Sequence, residues 1–519
     1  MKYKHLKILL WTGLSLLLVI FITAVVIKHS VRNRIETILN EKNSAYTMAI
    51  KNTDISILSR GISLERIKII SNKDSSGMPD LSGEIATLEI RGVKLVKAIF
   101  RKEIIIRKIT VTDSHFKGKI TSSGKAGKPI FLPLNIKIDK IVFDKINLSI
   151  DTDSTAASYS VKDGNLIFYS LQAEKHDTLS TGILKSFDFS AKELALVSAD
   201  SMHSYFFSDI IYSATSKLLD IDSISIKPNY NDYKFAAYYK YQKSRIEAGF
   251  NNILVHGFNP AEYIRSANII SSGVEIRKMD MKVFRDKRKE FHHQNIPVFQ
   301  DILYRYPGIL RIDSIALCEG NITYREYAMG ANESGYLSFI GTSAKIYNIT
   351  NDTIYKTETE YIRLKAEALF MGKGKVLIQL KAKLFDNNNN FSVNGNLSNM
   401  EAQELNPFLE KTAFIYATSG NITKMDFSFT ADDANASGKM TFLYNGLDLT
   451  LKNKKTDEIT AIRERIISIL VNRKVMDSNP LPDKEIREGI IEYSRDPEKF
   501  LFSYCAKCIM SGIRSSIIK

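Results

Sequence analysis

The chain has 519 residues, a formal charge of +15 and a hydrophobic content of 44%. That content is sufficient for a large core and excludes a chain that is disordered throughout. The basic residues are scattered and no nucleic-acid-binding motif accompanies them, so we expect no nucleic acid among the partners.

An uncharged, apolar segment runs from Ile8 to Ile27. A helix of this length spans about 30 Å, which is the thickness of the hydrocarbon core of a bilayer. No clear small-residue cleavage site follows, so we interpret the segment as an uncleaved signal-anchor. We expect residues 1–42 to form a single-pass transmembrane helix with its extension. The remainder of the chain is then exported to one side of that membrane.

From about residue 43 to residue 456, apolar and polar residues alternate. This period of two predicts β-strands that have one buried and one solvated face. The apolar positions of the clearest segments are Ile146, Leu148, Ile150, Ile362, Leu364, Val376, Ile378, Leu380, Met425, Phe427 and Phe429.

Short polar motifs predict the ends of these strands. Asp163-Gly164-Asn165, Glu319-Gly320-Asn321 and Asn445-Gly446 have the composition of turns. The motif Ile-Asp-Lys-Ile at residues 138–141 and its variant Ile-Asp-Ser-Ile at residues 312–315 each precede a further alternating segment. We therefore expect antiparallel hairpins at both places. A third copy of the motif lies at residues 221–224, and a further asparagine-rich turn is expected at residues 386–390.

An internal repeat relates residues 257–282 to residues 404–429. Asn-Pro, Ser-Gly and Lys-Met-Asp recur in both copies in the same order. The proline can open a short helix, and two strands around a Ser-Gly turn are expected to follow. Repetition of this kind predicts an elongated body. We divide it into residues 43–256 and residues 257–456.

The period becomes helical again in residues 457–519. We expect helices at Ile459–Val471, at Asp483–Tyr493 and from Pro497 onward, with Asp496 as the N-cap of the last. The last helix is basic and amphipathic, and either caps the end of the sheet or docks on a membrane or partner. Cys505 and Cys508 have the spacing of a redox motif without its usual surroundings. We therefore place both on the apolar face of this helix.

Catalytic motifs are missing from the sequence. There is no HExxH, no GxSxG and no phosphate-binding GxxxxGK[ST] motif. His292-His293 has no third ligand nearby in the sequence, so we expect no metal site and no cofactor. A glycosidase-like enzyme acting through scattered carboxylates is the least favoured hypothesis.

The apolar face of so long a sheet must be covered, and the expected helices are too few to do so. A sandwich, a closed barrel or a sheet curled into a trough would each solve this problem. In a trough the apolar face requires a bound apolar ligand. Lipid acyl chains are available to a membrane-tethered protein. The apolar residues named above, from Ile146 to Phe429, are then the candidate lipid-binding residues.

The layout resembles the AsmA-like family of envelope proteins. The segment from Ile35 to Ile70, the residues Leu88–Val93 followed by Arg101–Ile106, and the segment from Asn406-Pro407 to Gly438 carry the resemblance. It implies a mainly β fold with a curled β-groove, inner-membrane anchorage and a periplasmic body. It further implies a non-enzymatic role in phospholipid movement or outer-membrane biogenesis. The alternative is a non-catalytic envelope scaffold that assembles outer-membrane proteins.

Overall fold

The structure is a computed structural model that describes most of the chain after residue 45. The described ranges are 46–56, 61–71, 80–94, 97, 103–120, 135–152, 157–173, 186–355, 360–451 and 475–518. The expected transmembrane segment with its extension to residue 42, and the expected helix at Ile459–Val471, lie outside these ranges. No helix within the described ranges is long and apolar enough to cross a membrane.

The described residues form one open, mostly antiparallel β-sheet, so the expectation of a mainly β protein is confirmed. The strands are β1 (Tyr46–Ser56), β2 (Gly61–Ser71), β3 (Asp80–Arg91), β4 (Glu103–Ile120), β5 (Asn135–Thr152), β6 (Ser158–Ala173), β7 (Ser186–Val197), β8 (His203–Ser213), β9 (Leu218–Pro228), β10 (Ser244–His256), β11 (Ile269–Ser271), β12 (Gly273–Asp286), β13 (Leu310–Tyr327), β14 (Gly335–Thr350), β15 (Tyr361–Phe370), β16 (Gly374–Lys383), β17 (Phe391–Glu401), β18 (Ile415–Ala431), β19 (Asn435–Leu451) and β20 (Glu488–Ser494).

Short helices interrupt the strands, and one longer helix ends the chain. They are α1 (Asp232–Tyr238), α2 (Pro260–Ser266), α3 (Phe299–Tyr304), α4 (Asn406–Thr412) and α5 (Leu501–Ile517), with single 3-10 turns at Thr353–Tyr355 and Ala402–Leu405. The C-terminal helix is therefore present, as the helical spacing of its apolar residues predicts.

The sheet is not antiparallel throughout. β4 pairs in parallel with β5, and both β11 and β12 pair in parallel with β13. The expectation of an antiparallel sheet is wrong at these pairs. Alternation of side chains predicts which face of a strand is buried, but it is the same for parallel and antiparallel partners.

The hairpins expected after the Ile-Asp motifs are not formed. Each of these segments is instead a single long strand. Ile138–Ile141 and Ile146–Ile150 both lie in β5, where Lys145 adopts a left-handed backbone conformation with φ of 56°. The pairing of β5 with β6 shifts register at this point, which identifies a β-bulge. The corresponding segments at residues 312–324 both lie in β13, which also shifts register midway.

Most of the turns expected from composition also lie inside strands. Asp163-Gly164-Asn165 lies within β6, Glu319-Gly320-Asn321 within β13 and Asn445-Gly446 within β19, so none of the three connects two strands. Residues 386–390 do lie between β16 and β17, as predicted. Bulges and turns both use Asp, Asn and Gly because both need a left-handed residue, so composition does not separate them.

The internal repeat is visible as a short helix followed by strand in both copies. α2 and α4 each carry a proline in the first turn. The Ser-Gly pair, however, is not a hairpin turn in either copy. In the first copy Ser272 is the single residue between β11 and β12. In the second copy Ser419 lies inside β18. The prediction of a turn between two strands at the Ser-Gly pair is therefore wrong.

The C-terminal segment contains a strand where a helix was expected. Glu488–Ser494 forms β20, which pairs with β19, so the helix predicted at Asp483–Tyr493 is wrong. Ile491 and Tyr493 alternate with solvent-facing residues, and pairing with β19 overrides the local helical preference. The last helix begins at Leu501 after Phe500 rather than at Pro497.

The chain divides into two compact units. Unit 1 comprises residues 1–201 and 208–214, and unit 2 comprises residues 202–207 and 215–519. Among the described elements, unit 1 contains β1 to β7 and part of β8, and unit 2 contains the other strands and helices α1 to α5.

Candidate functional site

A row of register partners crosses five strands of unit 1. Ile69 of β2 is paired with Gly83 of β3, and Gly83 with Phe116 of β4. Phe116 is paired in turn with Leu148 of β5, and Leu148 with Val161 of β6. Side chains that are directly opposite in a sheet point to the same face, so this row forms a continuous apolar band.

Bulges in four of these strands keep the apolar residues on one face. Arg66, Asp113, Lys145 and Asp163 have φ between 47° and 56°, one each in β2, β4, β5 and β6. The extra residue of a bulge shifts the alternation by one position. Apolar residues before and after the bulge therefore share a face, although they are separated by an odd number of positions.

The buried centre of this face is small. Leu64, Ile67, Ile85 and Val111 are 3–8% exposed. Within the described ranges, the half-buried residues packed against them come from strands of the same sheet: Ile50, Ile62, Ile69, Leu88, Phe116 and Phe143. Each strand of unit 1 makes its main contacts with its sheet neighbours. We call this surface the unit 1 apolar face.

An open groove of about 500 Å³ lies against the row. Its wall includes Ile69, Phe116, Leu148 and Val161. Gly83 lies under the ring of Phe116, and a Cβ at this position would collide with that ring. Glycine is therefore required for Phe116 to lie across the neighbouring strand.

Charged residues of the same strands also border the groove. They are Lys68, Lys117 and Glu84, together with His115. Each is adjacent in sequence to a residue of the row, so its side chain points to the opposite face of the sheet. The open side of the groove leaves the polar end of an amphipathic ligand in water while its chain is buried.

The candidate residues of β5 lie on the unit 1 apolar face. Ile146, Leu148 and Ile150 are half-buried. Leu148 lines the groove, and Ile146 is paired with Ser114 of β4 and Gly164 of β6. The sequence-based choice therefore includes one groove residue directly and its two neighbours on the same strand.

The candidates of β18 lie in a closed core of unit 2. Met425, Phe427 and Phe429 are 2–7% exposed and share one cluster with Tyr504 and Cys508 of α5. α5 thus covers this part of the sheet. The candidates of β16 pack against the same cluster and are half-buried: Val376, Ile378 and Leu380.

The two candidates of β15 lie beside that core. Ile362 is 4% exposed and packs with Leu303 of α3 and with Leu384. Leu364 is half-buried and is the register partner of Leu380. In unit 2, short helices therefore cover apolar positions that an uncovered sheet would expose.

The cysteine pair belongs to the same core. Cys508 is fully buried and Cys505 packs beside it, which confirms the predicted apolar placement. Burial raises the pKa of each thiol to about 12, and for Cys505 the neighbouring Cys508 contributes to this rise. A thiol must ionise to act as a nucleophile or a metal ligand, so this environment suppresses both chemistries.

Sequence reasoning missed three of the four apolar side chains in the row, namely Ile69, Phe116 and Val161. Phe116 follows Val111 by five positions, an odd spacing that simple alternation places on opposite faces. Recognising Asp113 as a bulge residue would have put both on the same face.

No protein-family model and no curated protein matches this chain. Its class is therefore described by fold and site alone. It is a large open β-sheet protein in which unit 1 carries an apolar face with an open groove, while α5 covers the last strands of unit 2.

Proposed function

We propose that this protein binds phospholipid on the unit 1 apolar face and transfers it from the membrane that anchors the N-terminus. The observation that carries the proposal is the row from Ile69 to Val161, which forms the wall of an open groove. An apolar surface that remains accessible in a soluble unit is typical of a binding site.

The energetics of the groove suit an acyl chain. Burial of each methylene contributes about 0.8 kcal/mol, so a few contacts with Phe116, Leu148 and Val161 give useful affinity. The headgroup would remain in water at the open side of the groove. No covalent step is involved, and the protein acts as a non-enzymatic carrier.

The location follows from the expected anchor at Ile8–Ile27 and from the resemblance to the AsmA-like family. The protein is anchored in the cell inner membrane, and the bulk of the chain lies in the periplasm. In this setting lipid delivery supports outer-membrane biogenesis, and outer-membrane or envelope assembly proteins are the expected partners.

A structural role for unit 2 is the second candidate function. Phe427 and Phe429 are buried beneath α5, so this part of the sheet is closed. A closed β-body favours the alternative of an envelope scaffold for outer-membrane proteins, with no lipid carried by unit 2.

The proposal is tested by lipid analysis of the purified full-length protein. Leu148→Asp and Val161→Asp each place a charge on the unit 1 apolar face. We expect wild type to contain phospholipid by mass spectrometry and both variants to lose most of it, because burial of a charge opposes acyl-chain binding.

Ser160→Asp is the matched control, because Ser160 is adjacent to Val161 on β6 and faces the opposite side of the sheet. It should retain lipid at the wild-type level. Absence of lipid from the wild type, with no uptake of fluorescent phospholipid, would contradict the proposal. Equal loss in Ser160→Asp would show that the effect is on folding.

A further inference from the structure

A polar pocket of about 360 Å³ lies in unit 2, where α1 packs on β10, β12 and β13. We call it the α1 pocket. Its volume is within the usual range of small-molecule sites. Five of its lining residues are charged, namely Asp232, Arg245, Glu247, Lys282 and Arg325.

Strand register gathers the pocket residues of the sheet on one face. Arg245 of β10 is paired with Phe284 of β12, and Phe284 with Arg325 of β13. Two residues further along β10, Glu247 is paired with Lys282 of β12. Paired residues share a face, and so do residues two apart along a strand. All five side chains therefore lie on the face that α1 partly covers.

Asp232 of α1 joins the two guanidinium groups of the pocket. Its Oδ1 lies 3.3 Å from Nη1 of Arg245, and its Oδ2 lies 2.7 Å from Nη1 of Arg325. The Nε of Arg245 also donates to the backbone carbonyl of Tyr230 at 3.0 Å. These contacts hold the start of α1 over the sheet and fix both arginines in the pocket wall.

Tyr233 gives the pocket an aromatic side. Its ring centre lies 6.1 Å from that of Phe284 and 5.9 Å from that of Tyr327, and both pairs are edge-to-face. Phe284 is buried, whereas Tyr233 is 51% exposed. A ring that is fixed in place and half exposed offers apolar surface beside the charged groups, and it can pack on the C–H face of a sugar ring.

Hydrogen-bond donors and acceptors are interspersed around the pocket. Oε2 of Glu247 lies 3.3 Å from Nη1 of Arg245, while its Oε1 lies 3.9 Å from Nζ of Lys282. The second distance is too long for a hydrogen bond, so Glu247 and Lys282 can still bond a ligand.

This arrangement of charges disfavours a charged ligand. An anion would meet the carboxylates of Asp232 and Glu247, and a cation would meet the basic groups opposite them. A hydroxyl group both donates and accepts, so it can bond a carboxylate and a basic group at once. The pocket therefore suits a neutral ligand that carries several hydroxyls.

We propose that the α1 pocket binds a neutral saccharide. Sugar hydroxyls donate to the carboxylate of Glu247 and accept from the ammonium group of Lys282, while the ring of Tyr233 packs on the sugar. This proposal goes beyond lipid binding. The pocket lies in unit 2 and does not depend on the unit 1 apolar face.

A glycan array probed with the labelled full-length protein, in a detergent that carries no sugar, tests the proposal. We expect the wild type to bind neutral oligosaccharides. Isothermal titration calorimetry with the strongest of them then compares variants. Glu247→Ala should weaken binding about tenfold or more, because a charge-assisted hydrogen bond is lost. Tyr233→Ala should weaken it about threefold to tenfold, because the aromatic contact is lost.

Tyr238→Ala is the matched control for the tyrosine. Tyr238 lies on the same helix, is 61% exposed and does not line the pocket. This variant should bind as tightly as the wild type. Because the ligand is neutral, the affinity should hardly change between about 50 and about 300 mM salt, over which screening of an ionic ligand increases strongly.

Absence of wild-type binding to any saccharide on the array, or binding of acidic glycans alone, would overturn the proposal. Equal affinities of Tyr233→Ala, Glu247→Ala and Tyr238→Ala would overturn it as well. Circular dichroism establishes that the variants fold, and Lys282→Met, at an exposed position of the pocket wall, replaces either one that does not. None of these results bears on lipid loading of Leu148→Asp, so the two proposals fail separately.

Discussion

The backbone N–H of Ile490 donates a hydrogen bond to the hydroxyl of Ser515, with an N to Oγ distance of 3.1 Å. Glu492 makes the same bond to Ser511 at 3.2 Å. β20 thus pairs with β19 on one side, while two serines one turn apart on α5 satisfy amides on the other. An unpaired strand edge invites association with other strands, and these serines occupy it.

Removing both hydroxyls should destabilise unit 2 and expose this edge. For Ser511→Ala/Ser515→Ala we expect a loss of about 1–2 kcal/mol in the free energy of unfolding, because each bond contributes about 0.5–1.5 kcal/mol. Urea denaturation measures the loss, and light scattering measures new self-association. Ser503→Ala on the same helix is the control. A double variant as stable and monodisperse as the control would contradict this role.

At the bulge residue Lys145 we expect a substitution that raises the free energy of unfolding. Lys145 is exposed and holds a left-handed conformation that disfavours side chains with a Cβ. Lys145→Gly should therefore raise the free energy of unfolding by a few tenths to about 1 kcal/mol. Asp139→Gly, at an exposed position of the same strand without this conformation, should lower it by about 0.5–1 kcal/mol. Destabilisation by both substitutions would argue against the bulge.

The two asparagines of the internal repeat should differ in importance. The side chain of Asn406 accepts from the backbone N–H of Ala417 at 2.8 Å and donates to its carbonyl at 2.9 Å. Asn406→Ala leaves both buried groups unsatisfied, so we expect a loss of about 2–4 kcal/mol.

Asn259 provides the comparison within the repeat. It accepts one bond, from the N–H of Ala261 at 3.1 Å, as the cap of α2. Asn259→Ala should therefore cost only about 0.5–2 kcal/mol, which is the usual cost of losing a cap. Chemical denaturation of both variants measures the difference. Equal losses would show that the asparagines act alike despite their different contacts.

The three thiols should react at different rates. Cys318 is exposed, whereas burial raises the pKa of Cys505 and Cys508 to about 12 from an ordinary 9.0. At pH 8 a thiol-specific disulfide reagent should modify one thiol rapidly and the other two only after unfolding, because the thiolate is the nucleophile. Cys318→Ser should abolish the rapid phase. Rapid reaction of two or three thiols in the folded protein would contradict the buried placement.

The strands themselves were largely predictable because period-two alternation is a local property of the sequence. The connections and pairings between the strands were not predictable. Asp163 and Gly164 have turn composition but form a bulge in β6, and Ile138–Ile141 continues through Lys145 as one strand. The parallel pairing of β12 with β13 likewise depends on partners that are distant in sequence.

The candidate site was predictable only in part, for a related reason. Alternation identifies Leu148 and Phe427 equally well as apolar positions on strands. Whether such a residue is covered depends on a distant segment: α5 packs on Phe427, while Leu148 lines the groove. Coverage is set by long-range packing, which the local pattern does not encode.

Photo-crosslinking in cells tests the central claim most directly. A benzophenone amino acid is placed at Phe116, in the groove wall, and separately at Phe427, which is 4% exposed beneath α5. After irradiation, mass spectrometry should detect a phospholipid adduct at position 116 and none at position 427. No adduct at position 116, or equal adducts at both positions, would contradict lipid binding on the unit 1 apolar face.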